Sequence, residues 1–211
     1  MKSREVILIG AGGHALSLAE FAADNLIGYL ATEPNPEMPG DLLGSDNDAQ
    51  KYIASGKLFH MAYVYSGLPV MAKRRDLLKH YEYLGAKFAT LIAPSAIITP
   101  KSVIEDGCAV MAGAIVNRAT LKRNVIVNSG AVIEHDCVVG ENSFIGPGAV
   151  VGGFTKIGEN CFIGLGAKIG NGISIGDNIS VAMGAVVSKN LTEPGIYHGS
   201  PLRLFKLPSK P

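Results

Sequence analysis

Ile133-Glu-His-Asp-Cys-Val-Val139-Gly-Glu-Asn-Ser-Phe-Ile145-Gly-Pro-Gly-Ala-Val-Val151-Gly-Gly-Phe-Thr-Lys-Ile157 is the stretch on which the fold turns. An aliphatic residue returns at every sixth position. Gly often follows it, and a small residue stands four places on, as at Cys137, Ser143, Ala149 and Thr155. Traced outward, the period reads as one unbroken register of seventeen hexads from Leu91 to Val187, whose leading residues are Leu, Ile or Val except at Ala109. A strict short period of this kind specifies a solenoid. One large aliphatic and one small residue per hexad suit a triangular prism, with the aliphatic inside and the small residue beside it near a corner. Three hexads make a coil of eighteen residues. Five to six such coils at strand spacing give a prism roughly 25–30 Å tall.

Composition narrows the rest. The chain has 211 residues and a net charge of +1, so no strong field favours nucleic acid or an anionic membrane. It has no Trp and few aromatics, which argues against a base-stacking platform. Cys108, Cys137 and Cys161 are widely spaced without a C-x-x-C pair. Cys137 and Cys161 fall at the small hexad position, where Cys is a compact apolar filler, and a reducing, cytoplasmic setting is expected. No apolar run reaches the ~18 residues of a membrane span. A signal-peptide reading of Lys2, Arg4 and Val6-Ile7-Leu8-Ile9 fails because Gly10, Gly12, Gly13, His14 and Glu20 interrupt the apolar segment.

Residues 1–90 read as a small α/β unit, 91–191 as the solenoid and 192–211 as a tail. Val6–Ile9 is a strand, Gly10-Ala-Gly-Gly-His14 a tight turn, and Leu16, Leu18, Ala19, Phe21 and Ala22 have helical spacing. Gly28–Leu30 reads as a second strand, 33–40 as a Pro-rich loop and Ala49–Ser55 as a short helix. Met61–Tyr65 reads as a third strand ending at Ser66-Gly67, Val70–Leu84 as a helix, and Phe88–Ile92 as a last strand feeding the first coil. Alternating strands and helices predict a small parallel, Rossmann-like sheet. A glycine turn opening a helix exposes N–H groups and suits a phosphate. Its spacing is not G-x-G-x-x-G, however, so by itself it is equally a turn without a ligand. His14 stands where its ring reaches a bound anion, or simply faces water.

Only one of the five His, His135, lies in the repeat. It takes the third place of its hexad, an outward or corner position, with Asp136 next. In an eighteen-residue coil it stacks under Gly153 and over Asn117. Such a group suits acyl transfer. His135 acts as general base, Asp136 or Glu134 orients it, and the Gly153 N–H faces the oxyanion. Cys137 points inward, which favours direct attack over a covalent enzyme. On spacing alone, a surface His on a solenoid turn is the more economical reading.

The repeat resembles the hexapeptide-repeat acyltransferases, whose fold is a left-handed parallel β-helix. With the N-terminal unit, nearly the whole chain resembles their nucleotide-sugar N-acetyltransferase and sialic acid O-acetyltransferase subgroup. The resemblance implies His135 as base, Asp136 as its modulator, Gly153 as oxyanion donor and Asn128 as a neighbouring polar residue. It implies acetyl-CoA as co-substrate, lying along a prism edge between subunits of a trimer. Phe144, Leu165 and Met183 match groove positions, Phe144 in place of the subgroup's second His, and Arg203 stands in the terminal element beside the CoA nucleotide. Gly12, Gly13, His14 and Gly67 match the acceptor site. Ala31 and Thr32 replace the acidic pair that commonly binds the nucleoside, so recognition of uridine in the usual way is not expected. One His on the prism and inward cysteines predict no metal. The expected activity is acetylation of an amino group on a nucleotide-linked amino-dideoxy sugar. O-acetylation of a sugar hydroxyl is the second reading, and a solenoid binding module the non-enzyme one.

Overall fold

The computed structural model describes residues 5–22, 25–64, 68–199 and 203–205. It opens with a parallel sheet of strands β1 (Val6–Ile9), β2 (Leu26–Leu30), β3 (Asp41–Leu42), β4 (Leu58–Met61) and β5 (Lys87–Phe88), in the order β3-β2-β1-β4-β5. Helices α1 (Gly13–Ala22), α2 (Ala49–Ala54) and α3 (Leu68–Tyr83) connect them. β1 is four consecutive apolar residues because both of its faces are covered. Val6 and Leu8 pack with α1, and Ile7 and Ile9 with Ala49, Leu78 and Tyr81.

Two strands differ from the sequence reading. β4 begins at Leu58 and ends at Met61, because its ladder is set by the four residues of β1: Leu58 N–H donates to Glu5 O and Ala62 N–H to Ile9 O. The polar His60 hides this strand in the sequence. In the fold it is fully buried, with its ring Nδ1 2.9 Å from Ala89 O. The run 88–92 is also not one strand. Ala89 N–H donates to Phe59 O in the first sheet, Leu91 N–H donates to Cys108 O in the solenoid, and the chain changes sheets at Thr90.

From Leu91 onward two- and three-residue strands form the three faces of a left-handed β-helix. The first face runs from Leu91–Ile92 to Ile179–Val181 and is extended by Gly195–His198 and Arg203–Phe205. The second runs from Ile97–Ile98 to Val186–Val187, the third from Val103–Ile104 to Ser174–Ile175. One column of buried Val, Ile, Leu, Ala and Cys fills the interior.

The register is not unbroken. Ile115 pairs with Ile97, eighteen residues back, but Val132 pairs with Ile115, only seventeen on. The left-handed corner residues locate the slip. They stand six apart along Gly107, Gly113, Arg118, Asn124, Gly130 and Asp136, except for five between Gly113 and Arg118. Upstream of the short turn the inward residues are therefore Ile98, Ile104, Val110 and Val116, not Ile97, Val103, Ala109 and Ile115. All three cysteines then occupy the same small position. Their thiols donate to carbonyls in the next coil, Cys137 to Gly152 and Cys161 to Gly176, fifteen residues on, and Cys108 to Lys122, fourteen on.

The two parts are joined over the first face. Ala109, Met111, Ile126, Phe144 and Phe162 form one cluster with Ala15, Leu18, Ala19 and Met71. Polar contacts fix α3 above it. Arg74, almost fully buried, donates to Asn142 Oδ1, and Arg123 bridges Glu82 at 3.4 Å and Glu141 at 3.0 Å.

Candidate active site

In an open parallel sheet a ligand crevice lies past the carboxyl ends of the strands, where the strand order reverses. Here that point is between β1 and β4, and a cavity of about 980 Å³ opens there. Gly12, Gly13, His14, Ala31 and Thr32 all line it, with Glu33, Asn35, Asp46 and Lys73. The loop after β2 is tied to the glycine turn, since Asn35 Nδ2 donates to Ala11 O at 2.7 Å. Asp46 is held by the Tyr81 hydroxyl at 2.6 Å. Gly67 lies outside the described residues.

His14 does not simply face water. Its Nε2 is buried and without a partner among the described residues. Burial, with His60 and Arg74 nearby, lowers its pKa to about 3, so the ring is neutral at pH 7 and can meet an anion only through an N–H. Burial also lowers His60 to about 4. In the unfolded chain both titrate near ~6.5. Between pH 6.5 and 4 the unfolded state therefore binds protons that the folded state refuses. The contribution of the neutral rings to stability is intact above pH 6.5 and lost as the pH falls through this window. The thermal midpoint should drop from pH 7 to pH 4.5, and His60→Asn should flatten that drop. An equally steep wild-type and variant profile would refute this.

The second group of residues stands at the corner after the second face. His135 projects outward with 44% of its side chain exposed, and its Nδ1 lies 3.0 Å from Asp136 Oδ2. A carboxylate can only accept, so Nδ1 carries a proton, and in the neutral ring the lone pair then belongs to Nε2. The His135 hydrogen bond, helped by Arg118 at 3.5 Å, holds the Asp136 carboxyl below its ordinary range. Glu134 Oε2 instead accepts from Asn117 Nδ2 at 3.1 Å and from the backbone N–H of His135 at 3.4 Å.

Gly153 stands directly above, as its position eighteen residues on requires. A Cβ there would lie 2.9 Å from both Cε1 and Nε2 of His135, so only a bare α-carbon fits against the ring. The Gly153 N–H donates to no group among the described residues. Beneath, the expected stacking on Asn117 is corrected by the short turn. Three residues, Asn117–Ala119, face four, Glu134–Cys137, and Asn117 pairs with Glu134 instead. Phe154 completes the corner. It has φ 61°, a conformation costing a bulky L-residue ~1–2 kcal/mol, and its ring meets that of His135 edge to face. Phe154 was not singled out in the sequence. The available signal was an aromatic where other left-handed corner places carry Gly or a polar residue.

The remaining nominated residues stand apart from His135 within the chain. Asn128, Leu165 and Met183 belong to the corner after the first face; Gly184 N–H donates to Leu165 O, and Leu165 and Met183 are exposed. Phe144 stands on the outer side of the first face. It is 6% exposed and stacked on Phe162 at 5.1 Å, inside the cluster beneath α1. The backbone of Arg203 pairs with His198 in a hairpin, and its side chain lies outside the described set. Cys137 is buried and its thiol is pushed up by burial, as are Cys108, to about 12, and Cys161, to about 11. None is a poised nucleophile. Among the described residues no group of three His, Cys, Asp or Glu converges to hold a metal ion, and no helix is long and apolar enough to cross a membrane.

Two family models match the solenoid. Residues 118–153 match the bacterial transferase hexapeptide (six repeats), and 154–189 the hexapeptide repeat of succinyl-transferase. Solved structures match almost the whole chain. PerB from Caulobacter crescentus, in complex with CoA and GDP-perosamine, is 28% identical over 96% of this chain and 97% of its own, with a TM-score of 0.86. The acetyltransferase domain of PglB from Neisseria gonorrhoeae, in complex with acetyl coenzyme A, is 29% identical over 96% and 99%, with a TM-score of 0.82. WeeI from Acinetobacter baumannii, 21% identical over 95% and 99% with a TM-score of 0.79, shares the fold.

Proposed function

We propose that this hexapeptide-repeat protein of the left-handed β-helix kind is an acetyl-CoA-dependent sugar N-acetyltransferase acting on a nucleotide-linked amino-dideoxy sugar. The observation that carries the reading is the His135 corner: an outward imidazole with Nδ1 engaged by Asp136 and Nε2 free beside Gly153. The likeness to PerB, solved with CoA and GDP-perosamine, and to the PglB domain, solved with acetyl coenzyme A, supports it.

In this reading the acceptor amine attacks the thioester carbonyl while His135 Nε2 takes its proton. Asp136 stabilises the imidazolium that forms. The Gly153 N–H donates to the oxyanion of the tetrahedral intermediate. The intermediate collapses with loss of the CoA thiolate, to which the imidazolium returns the proton. Residues 1–90 hold the acceptor, residues 91–191 carry the transfer, and the tail from 192 lies beside the CoA nucleotide. Leu165 and Met183 line the pantetheine groove. Asn128, on the same corner as Leu165 and Met183, is a further polar residue that a second copy would bring to the site.

The assembly follows from the two corners. Leu165 and Met183 stand on one and His135 on another, so a second copy must bring a groove wall to the base. The outer side of the second face offers Ile97, Val150 and Val186 for that contact, all exposed in the single chain, with Lys168 between the last two. A homotrimer with shared sites is expected. Sedimentation showing a fully active monomer would reject it.

The test of function is CoA release with a panel of UDP-, GDP- and dTDP-amino sugars. His14→Ala should raise the acceptor KM far more than the acetyl-CoA KM, and the free sugar should be a poorer acceptor than its nucleotide-linked form. If the free sugar is used equally well and His14→Ala is silent, O-acetylation of a sugar hydroxyl becomes the leading reading. The absence of any thermal shift with acetyl-CoA, where about 2.7 kcal/mol is expected at a hundredfold excess over Kd, would leave only a binding module.

A further inference from the structure

From Gly107 to Gly184 one residue at each corner of the prism takes the left-handed conformation. Gly, Asn and Asp fill nearly all of these places, and Arg118 stands in the short turn. Phe154 breaks that rule. Its ring is spent neither on the interior nor on the contact between the two units: it is 61% exposed and belongs to no buried cluster. What it meets is His135, at 5.0 Å between centroids with the planes at 88°.

The His135 ring needs such a contact. The coil beneath is one residue short, so Asn117, eighteen residues back, pairs with Glu134 instead of lying under the ring. Asp136 holds Nδ1 and bare Gly153 borders the Cε1–Nε2 edge, which leaves the swing of the imidazole away from the prism unrestrained. An aromatic ring placed edge to face closes that direction without offering Nε2 a competing hydrogen bond. Asn, the residue at the left-handed places 124, 142, 160 and 178 of the next corner, would leave the swing open and add a competing polar group.

We propose that Phe154 is a positioning residue for His135, fixing the imidazole so that Nε2 stays aimed into the groove; its effect on turnover rests on the acetyl-transfer reading above. Phe154→Asn relieves the backbone and should melt at the same or a higher temperature than wild type. It should lower kcat roughly ten- to hundredfold, the scale of a misplaced catalytic group, with the acetyl-CoA KM unchanged. Phe154→Tyr keeps the ring and should keep kcat. Independently of activity, the His135 Cε1–H NMR signal should carry a ring-current shift that Phe154→Asn abolishes and Phe154→Tyr retains. Phe154→Asn with wild-type kcat in an active preparation overturns the proposal. So does a loss of activity that follows a lowered melting temperature and is not rescued by Tyr. If wild type proves inactive, the functional reading fails, and the NMR comparison still decides: a His135 signal indifferent to Phe154→Asn overturns the positioning role.

Discussion

Replacing His135 by Ala should lower kcat by roughly 10²–10⁴-fold, the range for loss of a general base, while leaving the fold and acetyl-CoA binding in place. The ring is half exposed and contributes to no core cluster, so little packing is lost. Its Nδ1 partner, Asp136, keeps Arg118 at 3.5 Å and stays charged. Steady-state rates with a nucleotide-linked amino sugar, set beside acetyl-CoA affinity by calorimetry, make the measurement. A His135→Ala protein with wild-type kcat would remove His135 from the chemistry and with it the proposed function of this corner.

A single methyl group at Gly153 should be nearly as damaging. The added Cβ would stand 2.9 Å from Cε1 and Nε2 of His135 and 3.3 Å from its carbonyl oxygen. The carbonyl cannot retreat, because it accepts the Phe154 N–H at 2.9 Å. The half-exposed imidazole can move, so it is the group that yields. Displacing it by about 1 Å is worth ~10² in rate, whereas loosening its one edge-to-face contact, with Phe154, costs only ~1 kcal/mol of folding stability. Gly153→Ala should therefore melt near wild type, bind acetyl-CoA normally and turn over about a hundredfold more slowly. Unchanged turnover would show that the imidazole conformation seen here is not the reactive one.

The two substitutions test different kinds of information. His135 was legible because it is the only His in a repeat that otherwise excludes it, and Gly153 because it lies eighteen residues further along. Phe154 was not legible. Its importance depends on a left-handed backbone and on a ring-to-ring contact, and neither is a property of residue order. The surroundings of Phe144 were hidden for a related reason. A resemblance assigns a position along the chain, but the fold covers that position with α1. Asn128 sits close to His135 in sequence and on a different corner in space, because a solenoid turns between them.

The sequence by itself determined the solenoid, the size of its coil, the glycine turn after the first strand and the outward His. Each of these follows from a local period or from the conformational preference of single residues, which act wherever the chain goes. Even the short turn left a trace: Gly113 and Asn124, both left-handed, are eleven residues apart where two full hexads need twelve. The tertiary structure alone decided which side of the slip each aliphatic faces, since a one-residue shift is invisible in Ile-Ile or Val-Ile pairs such as 97–98 and 103–104. It alone decided that His14 is neutral, because its ionisation is governed by burial against His60 and Arg74, residues 46 and 60 positions away. It also placed an aromatic ring on the imidazole, because stacking between coils is set by the pairing of strands across the prism and not by adjacency along the chain.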